Sequence, residues 1–227
     1  MIVALITSGK KRALTPFFLA FFLLVVALSG CARLPSAPED HPEAERLFAA
    51  RIEAAAAIAG WELRGRLAVN GPNGGGQARI QWTRSAAWHR IDVSGPFNQG
   101  AVRIETDETG ARAQHANGAI RTAPDAQTLF ALETGWQLPV DALNFWLLGV
   151  PVPGTEYVHT LDASGRATSL VQAGWRVRYE DYVRDGIGDF PSRVFLSWPD
   201  TPDASKPAIT ARLVIDRLLV NTGNATQ

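Results

Sequence analysis

From Trp61 onward the side chains alternate between apolar and polar, and that period of two excludes most folds at once. Trp61, Leu63, Leu67 and Val69 share one face, while Glu62, Arg64 and Arg66 take the other. After the glycine-rich stretch 71–76, Ala78, Ile80 and Trp82 alternate with Gln77, Arg79 and Gln81, which predicts the second arm of a hairpin. Further strands are predicted at 88–93, 101–106, 111–115, 119–122, 168–172, 175–182, 194–198 and 209–218. Turn signals separate them at Gly95-Pro96, at 107–110, at Asn117-Gly118 and around Gly186, Gly188 and Pro191. A flat sheet of so many one-sided strands would expose an apolar face and two edges. The expected fold is therefore mainly β (α+β): a single-domain, incomplete antiparallel β-barrel of about ten to eleven strands.

Helical spacing appears three times. Residues 43–59 lack Gly and Pro, place Leu47, Ala50, Ala54 and Ile58 on one stripe, and stop at Gly60. Asp125 can cap a short helix running to Glu133, and 141–148 carries an apolar face of Leu143, Trp146 and Leu147. These helices are expected to close the concave side of the sheet.

The N-terminus has the layout of an export signal. Lys10, Lys11 and Arg12 precede an apolar run, 13–28, that is shorter than the ~20 residues a membrane-spanning helix needs. Leu28-Ser29-Gly30-Cys31 resembles the bacterial lipobox, whose cysteine is acylated and becomes the new N-terminus. Cys31 is the only cysteine, so no internal disulfide can form, and lipidation would consume a thiol otherwise exposed to an oxidising compartment. Ala32, not Asp, follows it; by the sorting rule of Gram-negative lipoproteins this points to the outer membrane, with the body facing the periplasm. The expected division is a signal peptide 1–30, a Pro-rich tether 31–42, a folded body 43–220 and a polar tail 221–227. Cleavage removes three basic side chains and no acidic ones, leaving 19 basic against 22 acidic, a net of −3. That balance argues against a nucleic-acid partner.

Reactive chemistry is sparse. There is no Gly-x-Ser-x-Gly, and Asp181, Asp185 and Asp189 fall in a turn-rich stretch where solvated loop positions are expected. His41, His89, His115 and His159 lie in separate elements without metal-ligand spacing. Gly74-Gly75-Gly76 lacks the lysine of a phosphate loop and is expected in the hairpin turn. No enzyme, metal or cofactor is expected. Seven tryptophans are many for this length, and Phe97, in a turn after Gly95-Pro96, is a large apolar side chain without an obvious core partner.

Taken together these residues resemble the LolB family of outer-membrane lipoprotein receptors. The resemblance rests on 61–69 with Arg64-Gly65, on Ile80-Gln81-Trp82, on Gly95-Pro96-Phe97, on 135–151 and on Gln172 through Trp175 and Tyr179 to Tyr182. It implies a helix-closed half-barrel with an internal hydrophobic cavity. That cavity would accept the acyl chains of lipoproteins from the soluble carrier LolA, and the protein, as a monomer, would insert them into the inner leaflet of the outer membrane. Phe97, with Pro96 and Gly95, would form the membrane-inserting loop, in a position where leucine is common. Alternation and helix face select the expected cavity lining: Trp61, Leu63, Ile80, Trp82, Ile91, Val93, Leu143, Trp146, Leu147, Trp175, Val177 and Leu213. The competing expectation is a structural or assembly lipoprotein whose apolar sheet face docks a protein partner.

Overall fold

The computed structural model describes residues 42–72, 74–85, 87–96, 100–185, 188–199 and 208–221. Helix α1 (Pro42–Ala56) leads into β1 (Gly60–Gly71), β2 (Gly74–Arg84), β3 (His89–Ser94), β4 (Val102–Asp107), β5 (Gly110–His115) and β6 (Ile120–Ala123). Helices α2 (Ala126–Thr134) and α3 (Val140–Trp146) follow. The chain ends through β7 (Tyr157–Leu161), β8 (Ala167–Gln172), β9 (Trp175–Asp185), β10 (Gly188–Trp198) and β11 (Ile209–Asn221).

All the strands join one antiparallel sheet in the order β6-β5-β4-β3-β2-β1-β11-β10-β9-β8-β7. Two meanders run outward from the centre, where the first and last strands pair from Gly60↔Asn221 to Asn70↔Thr210. The sheet remains open, because β6 and β7 are its two edges. Midway along the central pair the register shifts between Arg64 and Gly65. A Cβ on Gly65 would lie 2.4 Å from the Val214 carbonyl oxygen, so only glycine allows the two backbones to approach this closely. Such a bulge increases local twist, here at the line where the two halves of the half-barrel meet.

One face of the sheet is apolar and buried; the other carries cross-strand ion pairs such as Arg66–Asp216, Arg90–Glu105 and Arg103–Asp92. These exposed pairs add little stability and mainly keep the outer face wet. The inner face is covered by helices. Helix α2 packs on β4, β5 and β6 and against α3. Asp125 caps it by accepting from the Thr128 backbone N–H at 2.7 Å, and Gly135 ends it in the left-handed conformation. Near its C-terminus Glu133, whose side chain is 3% exposed, meets His115 on β5 at 2.9 Å and Arg121 on β6 at 3.3 Å.

Helix α1 lies against β7, with Phe48 stacked on His159 at 4.8 Å and Glu45 3.1 Å from the same imidazole. Its buried side is Ala44 and Phe48 with Ile52 and Ala55 partly buried; of the expected Leu47/Ala50/Ala54/Ile58 stripe only Ile58, just beyond the helix, joins the core, not Leu47, Ala50 or Ala54. Those three residues instead line an open groove between α1 and the β9–β10 hairpin. The helix is rotated by about one position because Phe48, a larger apolar group than any alanine of the expected stripe, takes the inward place.

Three other expectations change. Strand β7 was not foreseen: as an edge it exposes Tyr157 and Val158 and shows no amphipathic alternation. Strand β10 begins at Gly188, so Pro191 and Asp189 lie within it; Asp189 is no solvated loop acid but pairs with Arg51 and Arg184, both at 3.2 Å. Gly74-Gly75-Gly76 are strand residues of β2, with Gly71 registered on Gly74 at the end of the pair. Gly76 is required by packing, since a Cβ there would lie 2.9 Å from the Trp136 ring.

Candidate functional site

Successive rows of the sheet build the inner face. Leu63 is registered on Trp82, Trp82 on Ile91 and Ile91 on Ile104; Gly65 is registered on Ile80, Ile80 on Val93 and Val93 on Val102. Across the central pair Leu67 meets Leu213, which continues to Val194 and Tyr179. Further along, Val177 pairs with Leu196 on one side and Leu170 on the other. The structure brings the sequence-selected Trp61, Leu63, Ile80, Trp82, Ile91, Val93, Trp175, Val177 and Leu213 to this face, all buried. Leu143, Trp146 and Leu147 are buried above it on and just after α3. Ile104, Val194 and Leu170 also belong to it and were missed, although the alternation that found their neighbours extends to them.

The tryptophans divide by position. Trp61 and Trp82 meet edge to face at 5.3 Å, Trp146 and Trp175 lie 6.5 Å apart, and all four are buried. Trp136 is only partly buried, whereas Trp88 and Trp198 are each 39% exposed.

A polar latch joins the helical cover to the sheet. Gln172, at the end of β8 and 2% exposed, accepts from Trp146 Nε1 and from the Val152 N–H, both at 2.9 Å. Its amide donates to the carbonyls of Val152 and Thr155, both at 3.0 Å. Every hydrogen of that amide is used, so the segment after α3 is fixed to β8. Nearby, Tyr182 donates to the Ala167 carbonyl at 2.7 Å. Burial pushes the phenols of Tyr179 and Tyr182 well above the usual tyrosine range, so both are neutral; the Tyr179 hydroxyl has no hydrogen-bond partner among the described residues.

Gly95 and Pro96 follow β3, the first half-buried and the second exposed; Phe97 and Cys31 lie outside the described residues. Among the described residues no group of three His, Cys, Asp or Glu side chains could hold a metal ion, and no helix is long and apolar enough to cross a membrane. The arrangement defines a class: an open, antiparallel half-barrel whose apolar inner face is covered by helices.

Comparison with known proteins narrows that class. The chain belongs to the LolB family: the family model for the outer membrane lipoprotein LolB matches residues 59–217. It is 38% identical over 185 residues to an outer-membrane lipoprotein LolB from Halorhodospira halophila, spanning 81% of this chain and 89% of that protein. It is 34% identical over 199 residues to the Nitrosococcus oceani one, spanning 85% and 92%. Among solved structures, a LolA superfamily protein from Nitrosomonas europaea superposes with a TM-score of 0.47 at 10% identity, covering 77% of this chain and 93% of that one.

Proposed function

We propose that the inner face takes up the acyl chains of lipoproteins delivered by the soluble periplasmic carrier LolA and releases them into the inner leaflet of the outer membrane. The observation that carries this reading is the continuous, buried apolar surface from β4 across the central strands to β9, roofed by α2 and α3, in a member of the LolB family. Each methylene moved from water to an apolar site gains about 0.8 kcal/mol, so a triacylated lipoprotein needs shelter on the order of tens of kcal/mol. A face of aliphatic and indole side chains supplies it. Transfer then runs downhill, from carrier to receptor to bilayer, with no nucleotide, metal or other cofactor.

In the same reading the signal 1–30 is removed and Cys31 is acylated, 31–42 tethers the body 43–220 to the membrane, and 221–227 is a polar tail. Two or more acyl chains on Cys31 would make the anchor durable, where one alone is marginal. Phe97, carried on the loop after Gly95 and Pro96, enters the headgroup layer and eases release. Replacing Phe97 by Glu tests this: uptake from LolA should persist while insertion into phospholipid vesicles falls at least tenfold, because a carboxylate resists entry into the interface. Unchanged insertion would remove Phe97 from the mechanism, and failure of the wild-type chain to accept lipoprotein from LolA would remove the reading as a whole.

A further inference from the structure

One row of the inner face breaks its apolar pattern. Trp61 on β1 is registered on Arg84 of β2, Arg84 on His89 of β3, and His89 on Thr106 of β4. Arg84 is two residues from Trp82, His89 two from Ile91 and Thr106 two from Ile104, so all three side chains leave the sheet on the buried side. Each of the four holds a buried polar atom without a hydrogen-bond partner among the described residues: Trp61 Nε1, Arg84 Nε, His89 Nδ1 and Thr106 Oγ1. Trp82, in the adjoining row and in contact with Trp61, adds its own unpartnered Nε1. Trp61 and Trp82 are each only 2% exposed, so water has little access to their indole N–H groups from outside.

Folded chains pair nearly all buried polar groups, so five unpaired atoms in two adjacent rows need a cause. Their chemistry is uniform. Indole and guanidinium N–H groups only donate, and a threonine hydroxyl and a neutral imidazole can donate. Burial first, then the Arg84 charge, lower the His89 pKa and outweigh the Asp141 carboxylate, which raises it, so the neutral ring is favoured. Of the nearby carboxylates, Glu62 is engaged with Arg64 and Gln81 and Glu105 with Arg90, whereas Asp141 acts on His89 through its charge. Two open clefts lie beside the row, one of about 610 Å3 lined by Trp61, Arg84 and Trp88 among others, the other of about 760 Å3 lined by His89 and Thr106 among others. A ligand for this place is an oxygen acceptor attached to an apolar body.

We propose that the row Trp61–Arg84–His89–Thr106, with Trp82, holds the carbonyl oxygens at the head of a bound lipid's acyl chains. This rests on the lipid-binding reading above and adds polarity to it. His89 opens β3 and Gly95 follows its end, so the carbonyls would lie at the far end of that strand from the Phe97 loop, with the chains running toward it.

The test compares two probes on the full chain in detergent at fixed micelle concentration. One is a fluorescent S-(dipalmitoylglyceryl)cysteine tetrapeptide; the other is its dihexadecyl ether counterpart, which lacks both ester carbonyls. The wild type should bind the diester about tenfold more tightly than the diether, the effect of one or two well-placed hydrogen bonds. Thr106→Val and Arg84→Met should each erase most of that preference while leaving diether binding unchanged, which also shows that the variants are folded. Equal binding of diester and diether by the wild type, as expected if water alone fills the row, overturns the proposal while leaving lipid binding in place. Binding of neither probe overturns both. Palmitate held more tightly than the diester, with both lost in Arg84→Met, would assign the row to a carboxylate and so refute it for neutral carbonyls.

Discussion

Replacing Gln172 by Met removes the latch between the helical cover and the sheet while keeping the side chain's length. Four groups then lose their partner: the Trp146 indole N–H, the Val152 N–H, and the carbonyls of Val152 and Thr155. A buried group left unpaired costs about 1–3 kcal/mol, the two donors more reliably than the carbonyls, so a loss of about 3–5 kcal/mol is expected. That is a large part of the ~5–15 kcal/mol by which domains are stable. Guanidinium unfolding of the full chain in detergent, followed by tryptophan fluorescence, measures it. Gln172→Glu gives a second reading of the same geometry. It keeps both accepted bonds but turns a carboxylate toward two carbonyls, which must raise its folded-state pKa above the ordinary ~4.3. A raised carboxylate binds more protons folded than unfolded, so this variant should gain stability as pH falls from neutrality through that raised value. The Met variant should show no such gain. A cost below about 1 kcal/mol for Gln172→Met would refute the reasoning, since it would mean that the four bonds are replaced by water at no loss.

Two other perturbations follow from the packing and the buried imidazole. Gly76→Ala forces the Trp136 ring out of its 2.9 Å approach and should destabilise the chain by about 1–3 kcal/mol, with a red shift in tryptophan emission; an unshifted spectrum at wild-type stability would contradict the contact. His89 has a folded-state pKa below its unfolded value of about 6.5, so it binds fewer protons folded than unfolded. Its contribution is complete above that value and is withdrawn as pH falls below it, toward the folded pKa. The stability difference between wild type and His89→Gln should therefore move against the wild type between neutrality and mildly acidic pH; a constant difference in urea titrations would argue that the imidazole is freely solvated.

What could be read from the chain beforehand was whatever repeats. Most strands and the inner face of α3 declare themselves through period, because each presents one apolar side to the same interior, while β6, exposed over most of its length, and the Asp125 cap are marked only by turn and capping residues. What stayed hidden depends on partners distant in sequence. Phe48 outweighs the alanine stripe beside it only because β7 supplies His159 and Tyr157 to pack against, and β7 itself lies at an edge where nothing enforces alternation. Gly76 looks like a turn residue until Trp136 is placed over it, and nothing in the strand alternation marks Gly65 as the point where Val214 comes close. Arg84 and His89 were passed over for the converse reason: by identity they end a strand and begin the next, yet by parity they extend the buried face.

The unsealed margin of the sheet has a mechanical consequence. Its outermost members, four and five residues long, are never laced to each other, so the vessel has a seam. Gaping along that seam would break no main-chain ladder; only side-chain packing under the roof helices would have to yield. A cylinder closed all round would have to break at least one strand ladder to open, whereas this one is already parted between its two edge strands.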